Sequence, residues 1–109
     1  MSITENKAEK EQIERLVSVL KQGHESAITR QTLCNTMQMS DRKMRALIEK
    51  ARDEGVLILN EQDGKGYYLP KSIKDIERQY RQDTSRAMAI LKRRKHMRKI
   101  LKEANISIR

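Results

Sequence analysis

A chain of 109 residues has room for one small domain with an added element and is too short for a large multistep enzyme. It contains 24 Lys and Arg against 15 Asp and Glu, and the resulting formal net charge of +9 favours a polyanionic partner, nucleic acid before acidic membrane. With no Trp, no Phe and three Tyr, the core must come from aliphatic residues, Met and Ala, which predicts a small, mostly helical fold.

Cysteine and histidine usage limits the chemistry further. A single cysteine excludes an internal disulfide, and with only two histidines the chain cannot supply the Cys and His ligands of a structural zinc site. No apolar run approaches the ~20 residues of a membrane span, and the N-terminus is polar and acidic rather than signal-like. We therefore expect a cytoplasmic protein, without a bound metal, that is neither secreted nor inserted in a membrane.

The net charge lies entirely in the C-terminal third. Residues 71–109 hold 13 of the 24 cations and 4 of the 15 acids, so residues 1–70 balance 11 against 11. All four glycines and the only proline also precede residue 71. This change of composition predicts a neutral domain over residues 1–70 and a basic helical tail over residues 71–109.

Two helices are predicted before residue 38. The first covers residues 5–22 and ends at Gly23. Its apolar stripe has helical spacing and consists of Ile13, Leu16, Val17 and Leu20. After a short extended segment, Thr29 is placed to cap a second helix of about two turns, from Arg30 to Met37.

A third helix is predicted from Asp41 to about Glu54, with Ser40 as its N-cap and Gly55 as its stop. Its spacing predicts a buried stripe of Met44, Leu47, Ile48 and Ala51. The exposed surface of the helix then begins with three cations, Arg42, Lys43 and Arg45.

A hairpin is predicted next, from two β-type runs at residues 56–60 and 65–69 that flank a turn at residues 61–64 and end at Pro70. The predicted order of elements is helix, short extended segment, helix, tight turn, helix and hairpin. This order is typical of a winged helix-turn-helix, so the predicted fold is mainly α with a small β-hairpin.

The tail can form one long helix over residues 71–104, of roughly 50 Å at 1.5 Å per residue. Its apolar residues recur near heptad spacing, but Asp83 and Arg94 interrupt the seam. Burial of this stripe requires either the first helix of the same chain or a second copy of the chain. Residues 92–99 hold six cations in eight positions, the strongest charge run in the sequence.

Two segments carry a resemblance to a known family. They are Gln-Met-Ser-Asp-Arg-Lys-Met-Arg at residues 38–45, which Gly55 and Val56 follow, and Gly-Lys-Gly-Tyr-Tyr-Leu-Pro at residues 64–70. Residues 10–70 thereby resemble the winged-helix domain of biotin operon repressor type proteins. In that family an apolar-Ser pair opens the recognition helix and a Gly-Lys-Gly-Tyr-x-Leu-Pro segment forms the return strand of the wing.

The resemblance implies roles for particular residues. Ser40 to Arg45 would start the recognition helix in the major groove, Thr29 and Arg30 would open the supporting helix near the phosphates, and Lys65 would lie on the wing. Gln38 stands where the family usually has Gly, at a cost of about 1 kcal/mol if its φ is positive. No ligase or ligand-binding domain follows Pro70 in this sequence, so biotin chemistry and small-molecule sensing do not carry over.

Each basic feature has a functional and a structural interpretation. The cations Arg42, Lys43 and Arg45 suit guanine edges or phosphates, or they form a solvated face. Lys65 is a phosphate contact or a solubilising turn residue. The tail cations suit sequence-independent phosphate binding, and the alternatives are a solvated, lipid-bound or partner-docked helix. The tail cations in question are Arg93, Arg94, Lys95, Arg98 and Lys99.

The sequence predicts a binding protein, because no nucleophile, base and orienting group can be assembled from it. We expect no enzyme activity and no cofactor. The main hypothesis is a sequence-specific double-stranded DNA-binding protein, a small transcriptional regulator of phage or mobile-element type that can form a homodimer. The alternative is an adaptor in replication or anti-repression, whose winged helix binds a protein partner while the tail mediates assembly or nonspecific nucleic-acid binding.

Overall fold

A computed structural model of the chain describes residues 3–61 and 66–107, with side chains from Lys7 onward. The described residues form helices α1, α2, α3 and α4, a 3₁₀ turn between α1 and α2, and an antiparallel hairpin of strands β1 and β2 between α3 and α4. Their bounds are α1 Ile3–Val19, 3₁₀ turn His24–Ser26, α2 Arg30–Met37, α3 Asp41–Asp53, β1 Leu59–Asn60, β2 Tyr67–Tyr68 and α4 Ile73–Glu103. The fold is therefore mainly α with a small β-hairpin, as predicted.

The core lies between α1, α2 and α3. Every residue predicted for the buried stripe of α3 is buried, and Leu16, Leu33 and Met44 are the largest side chains that are fully enclosed. Burying aliphatic side chains of this size stabilises a domain by about 1.5–3 kcal/mol each. The remaining members of the core cluster are Ile13, Leu20, Met37, Leu47, Ile48, Ala51 and Ile58.

The first helix is shorter at its C-terminal end than the sequence predicts. It ends at Val19 rather than at residue 22. The backbone after it pairs with the chain that follows β2: Leu69 donates to the Lys21 carbonyl (2.8 Å), and Gly23 donates to the Leu69 carbonyl (2.9 Å). These long-range bonds take the backbone groups that another helical turn would have used.

The strands are also shorter than the two predicted runs. Val56 donates to the carbonyl of Ala51 at the end of α3 (3.0 Å). The backbone N–H of Val56 is therefore engaged with the helix, and β1 begins only at Leu59. Leu59 then pairs with Tyr68, and Asn60 with Tyr67. On its other side Tyr67 exchanges two backbone hydrogen bonds with Ile28, of 2.8 and 2.9 Å. The hairpin is thereby attached to the segment that leads into α2.

The turn between α2 and α3 contains backbone strain. Gln38 caps the end of α2 in the left-handed region (φ 51°, ψ 54°). Gly adopts this conformation without strain, and Gly is the usual residue here in the family that the sequence resembles. Met39 then donates to the Cys34 carbonyl at 2.9 Å, which closes the turn. A side chain with a Cβ is unfavourable in this conformation by about 1–2 kcal/mol.

Replacing Gln38 by Gly is expected to raise the free energy of unfolding by about 1 kcal/mol, because the strain is removed and part of the gain is offset by the flexibility of Gly when unfolded. Urea denaturation with an unchanged slope would measure this gain. Gln38→Ala is the matched control, since it removes the same side chain and keeps the Cβ. Equal stabilities of the Gly and Ala variants would contradict the strain argument.

The chain divides into two compact units, Met1–Ile76 and Glu77–Arg109, so the first unit extends six residues past the predicted boundary at residue 70. The first turn of α4 explains the difference. The buried carboxylate of Asp75 accepts a hydrogen bond from the backbone N–H of Lys71 at 2.9 Å. The Lys71 ammonium lies 3.5 Å from Glu25, within the same unit.

The second unit, described by itself, consists of the remainder of α4 and the residues after it. Its longest uninterrupted exposed stretch runs over residues 83–100. Near its start, Arg81 pairs with Glu77 at 2.7 Å and Gln79 donates to Asp83 at 3.0 Å, both with helical i, i+4 spacing. Over the residues that the structure describes, none of the helices combines the length and apolarity needed to span a membrane.

Candidate nucleic-acid interface

The two predicted N-caps orient the helices that carry the candidate interface. The Thr29 hydroxyl accepts a hydrogen bond from the backbone N–H of Thr32 at 3.1 Å, at the start of α2. The Ser40 hydroxyl accepts one from the backbone N–H of Lys43 at 3.2 Å, at the start of α3. Such caps typically stabilise a helix by about 1 kcal/mol, and here they fix the directions in which the first side chains of α2 and α3 leave the backbone.

One carboxylate holds two of the predicted site residues together. Asp41 Oδ1 accepts from Arg30 Nε at 2.5 Å, and Asp41 Oδ2 accepts from Arg45 Nε at 3.0 Å. The side chains of Asp41 and Arg45 are 53% and 63% exposed, whereas that of Arg30 is 31% exposed. The network therefore faces solvent and carries one net positive charge.

This pairing shifts the titration of its members. The hydrogen bond from Arg30 lowers the pKa of Asp41 below its ordinary value of 3.8, and the same contact raises the pKa of Arg30. Because the folded pKa of Asp41 is depressed, the stability that its ion pairs contribute to the fold is present above pH 3.8. This stability is lost as the pH falls through the folded pKa. Asp41 is thus ionised at neutral pH and keeps both arginines in place.

Arg42 and Lys43 behave differently from Arg45. Both side chains are exposed on the first turn of α3, and neither makes an ion pair or side-chain hydrogen bond with the part of the chain that the structure describes. Their charged groups are therefore available to a ligand without breaking an existing contact. The first turn of α3 presents two unpaired cations beside one, Arg45, that is held in position.

Arg52 and Tyr67 join the helices to the hairpin, and the sequence did not identify either as part of the site. Arg52 Nε donates to the Ile58 carbonyl at 3.0 Å, and its guanidinium lies 5.9 Å from the centre of the Tyr67 ring. The Tyr67 hydroxyl accepts from Arg30 Nη1 at 3.4 Å. A shallow depression results, whose lining is Arg30, Arg45, Ile48, Glu49, Arg52 and Tyr67.

The remaining predicted residue of the first unit, Lys65, lies outside the described residues. Its neighbour Gly66 is buried just before β2, and its carbonyl accepts from Glu61 N–H at 2.9 Å. A Cβ on Gly66 would lie 2.8 Å from the Cβ of Ala27, so only Gly fits this approach. This close packing holds Gly66 against Ala27, in the segment that leads into α2.

The tail cations lie on α4 in the second unit. Each is exposed, and none forms an ion pair with any residue in the ranges 7–61 and 66–107. They are Arg93, Arg94, Lys95, Arg98 and Lys99. Because residues 84–102 contain no Asp or Glu, no carboxylate within this segment of α4 offsets its positive charge.

Metal-binding and family comparisons add no further site. Among the described residues no group of three or more His, Cys, Asp or Glu side chains is placed to hold a metal ion. Comparisons with family models, with curated proteins and with solved structures find no match to this chain.

Proposed function

We propose that the protein binds double-stranded DNA in a sequence-specific manner and acts as a small transcriptional regulator. The observation that carries this proposal is the first turn of α3, where Arg42 and Lys43 are exposed and unpaired beside the held guanidinium of Arg45. In helix-turn-helix proteins the N-terminal residues of the recognition helix contact base edges in the major groove. Arg and Lys suit the O6 and N7 acceptors of guanine.

The other candidate residues have supporting roles in this proposal. Thr29 and Arg30 face the phosphates at the start of α2, and Lys65 contacts the backbone from the wing. Asp41 does not contact DNA, but it restricts the guanidinium groups of Arg30 and Arg45 before DNA arrives, which reduces the entropy cost of binding. The resemblance of residues 10–70 to the biotin operon repressor type domain agrees with these roles.

The tail supplies affinity without sequence information in this proposal. Its exposed cations neutralise phosphates, releasing counterions, so their contribution decreases steeply as salt increases. Base discrimination then comes from α3, because phosphate contacts position a protein and base contacts specify the sequence.

A second candidate function is an adaptor whose helical domain binds a protein of the replication or transcription machinery. Glu49 and Asp53 favour it, since both are exposed on α3 together with Arg42 and would lie near the DNA phosphates. The even balance of charge over residues 1–70 also suits a protein partner.

Selection from a random duplex library at two salt concentrations distinguishes the two functions. The full chain is compared with a variant carrying Arg42→Ala and Lys43→Ala, which retains the tail. We expect the full chain to enrich a defined motif at both salt concentrations and the variant to lose that motif while keeping salt-sensitive binding. If the full chain binds without any motif, the regulator proposal is wrong and protein partners of the helical domain should be sought.

A further inference from the structure

On the long helix α4, residues spaced alternately by three and four positions form a seam along one side. Starting at Tyr80, steps of three and four residues lead through six positions, all of them on α4: Tyr80, Asp83, Ala87, Ile90, Arg94 and Met97. These are the a and d positions of a heptad pattern, which place side chains along one side of a helix. The seam covers about 25 Å at 1.5 Å per residue.

The apolar side chains of the seam face solvent in the single chain. Tyr80 is 72% exposed, Ile90 43% and Met97 58%. Burying apolar surface of this kind is energetically favourable. Two charged residues, Asp83 and Arg94, interrupt this apolar surface. A partner that covers the seam must therefore supply apolar side chains and also opposite charges at two defined places.

A second copy of the chain meets both requirements if it runs antiparallel. The six seam positions are symmetric about the point between Met88 and Ala89, so an antiparallel copy centred there places Tyr80 opposite the partner's Met97. It also places Ala87 opposite the partner's Ile90, a small residue against a large one. Between these two pairs, Asp83 lies opposite the partner's Arg94. Because the two copies are related by two-fold symmetry, each of the three pairings occurs twice.

A parallel copy in the same register does not meet these requirements. Asp83 would then lie opposite the partner's Asp83, and Arg94 opposite the partner's Arg94. Like charges that face each other across a packed seam are destabilising, and opposite charges there select orientation and register. The two charged residues thus disfavour one orientation and favour the other.

The positions beside the seam agree in part. In the antiparallel copy Glu77 lies near the partner's Arg98, which is attractive, and Leu91 lies near the partner's Thr84, which extends the covered apolar surface. Arg86 lies near the partner's Arg93, and this repulsion opposes association. Several cations of the tail, including Lys92, Lys95 and Lys99, fall at outer heptad positions and remain accessible to phosphates.

We propose that α4 pairs with α4 of a second copy as an antiparallel coiled coil, with reciprocal ion pairs between Asp83 and the partner's Arg94. The pairing does not depend on the proposed DNA binding. Asp83 and Arg94 are specificity-determining residues of this interface, and the apolar layers on either side of them supply the attraction.

Charge reversal tests orientation and register together. Sedimentation velocity over a concentration series compares the parent full chain with Asp83→Arg, with Arg94→Asp and with the double variant. The parent should dimerise, and each single variant should weaken dimerisation by about tenfold or more, because it places like charges in two layers. The double variant should recover to within about threefold of the parent, since its reversed pair has the same geometry.

Two control variants separate this effect from a general effect of charge. Lys99→Asp and Glu103→Arg change the net charge by the same amounts at positions away from the seam, and both should dimerise like the parent. The proposal is overturned if the parent remains monomeric up to its solubility limit. It is also overturned if the double variant associates no better than the single variants, which is the result expected for parallel helices or a different interface.

A disulfide test gives the orientation independently. In a Cys34→Ala background, Tyr80→Cys and Met97→Cys chains should cross-link when mixed, because positions 80 and 97 face each other in the antiparallel pair. Each variant alone should not cross-link, since its two cysteines would be about 25 Å apart along the helices. Efficient cross-linking of the Tyr80→Cys chain with itself would instead establish a parallel pair and contradict the proposal.

Discussion

Replacing Arg42 by Ala is expected to weaken binding to the selected duplex by about 1–3 kcal/mol, or roughly 5- to 150-fold, while folding is preserved. Arg42 is exposed at the start of α3 and makes no ion pair within the described chain, so the substitution removes a proposed DNA-binding group and disrupts no internal interaction. Arg45→Ala should fall in the same range. Fluorescence anisotropy titrations at one fixed salt concentration would measure both effects.

The control for Arg42 is Arg15→Ala, which removes the same charge from an exposed position on α1. It should leave the affinity within about twofold of the parent. Repeating the titration with duplexes altered at single base pairs reveals what Arg42 contacts: a base contact predicts that Arg42→Ala loses discrimination at one position. Binding of the Arg42 and Arg45 variants that equals the parent's would show that α3 is not the recognition helix.

Neutralising four tail cations is expected to weaken binding to all duplex sequences alike and to flatten its dependence on salt. The variant carries Gln in place of Arg93, Lys95, Arg98 and Lys99, and it keeps Arg94 because of the proposed role of that residue in pairing. For every phosphate that the variant no longer neutralises, the slope of log affinity against log salt should decrease by about 0.9. The same titration series at several salt concentrations measures this slope.

A matched variant removes four cations from the N-terminal part of the chain, by replacing Lys7, Lys10, Arg15 and Lys21 with Gln. All four are exposed there, so the total charge decreases equally in both variants. We expect the salt slope of this control to remain close to that of the parent. Equal slopes for the parent and the tail variant would exclude the tail from the DNA interface and leave pairing as its function.

Local signals in the sequence were sufficient for α2 and α3. The Thr29 and Ser40 hydroxyls cap α2 and α3 as predicted, and α2 runs from Arg30 to Met37 as expected. Gly55 follows α3 with a positive φ of 92°, which a residue without a Cβ adopts freely. These features depend on side chains that act on their own backbone within a few residues, so spacing alone is enough to find them.

The extent of the strands and of α1 required the tertiary structure. Leu69 and Tyr67 bond to backbone groups more than 35 residues earlier in the chain, at Lys21, Gly23 and Ile28. The Leu69 bonds end α1 early, and the Val56 bond to Ala51 delays the start of β1. The periodicity of a sequence does not reveal that a backbone group will form its hydrogen bond with a residue far away along the chain.

The sequence by itself determined which cations stand at the start of α3, that the net charge lies in the tail, and that the apolar residues of the tail recur near heptad spacing. Only the tertiary structure separated Arg45, which Asp41 holds, from Arg42, which has no ion pair in the described chain. It also placed Arg30, 11 residues before Asp41, on the same carboxylate. The reason is physical: charge and periodicity are properties of the chain, whereas the partner of a charged group depends on which helices the core brings together.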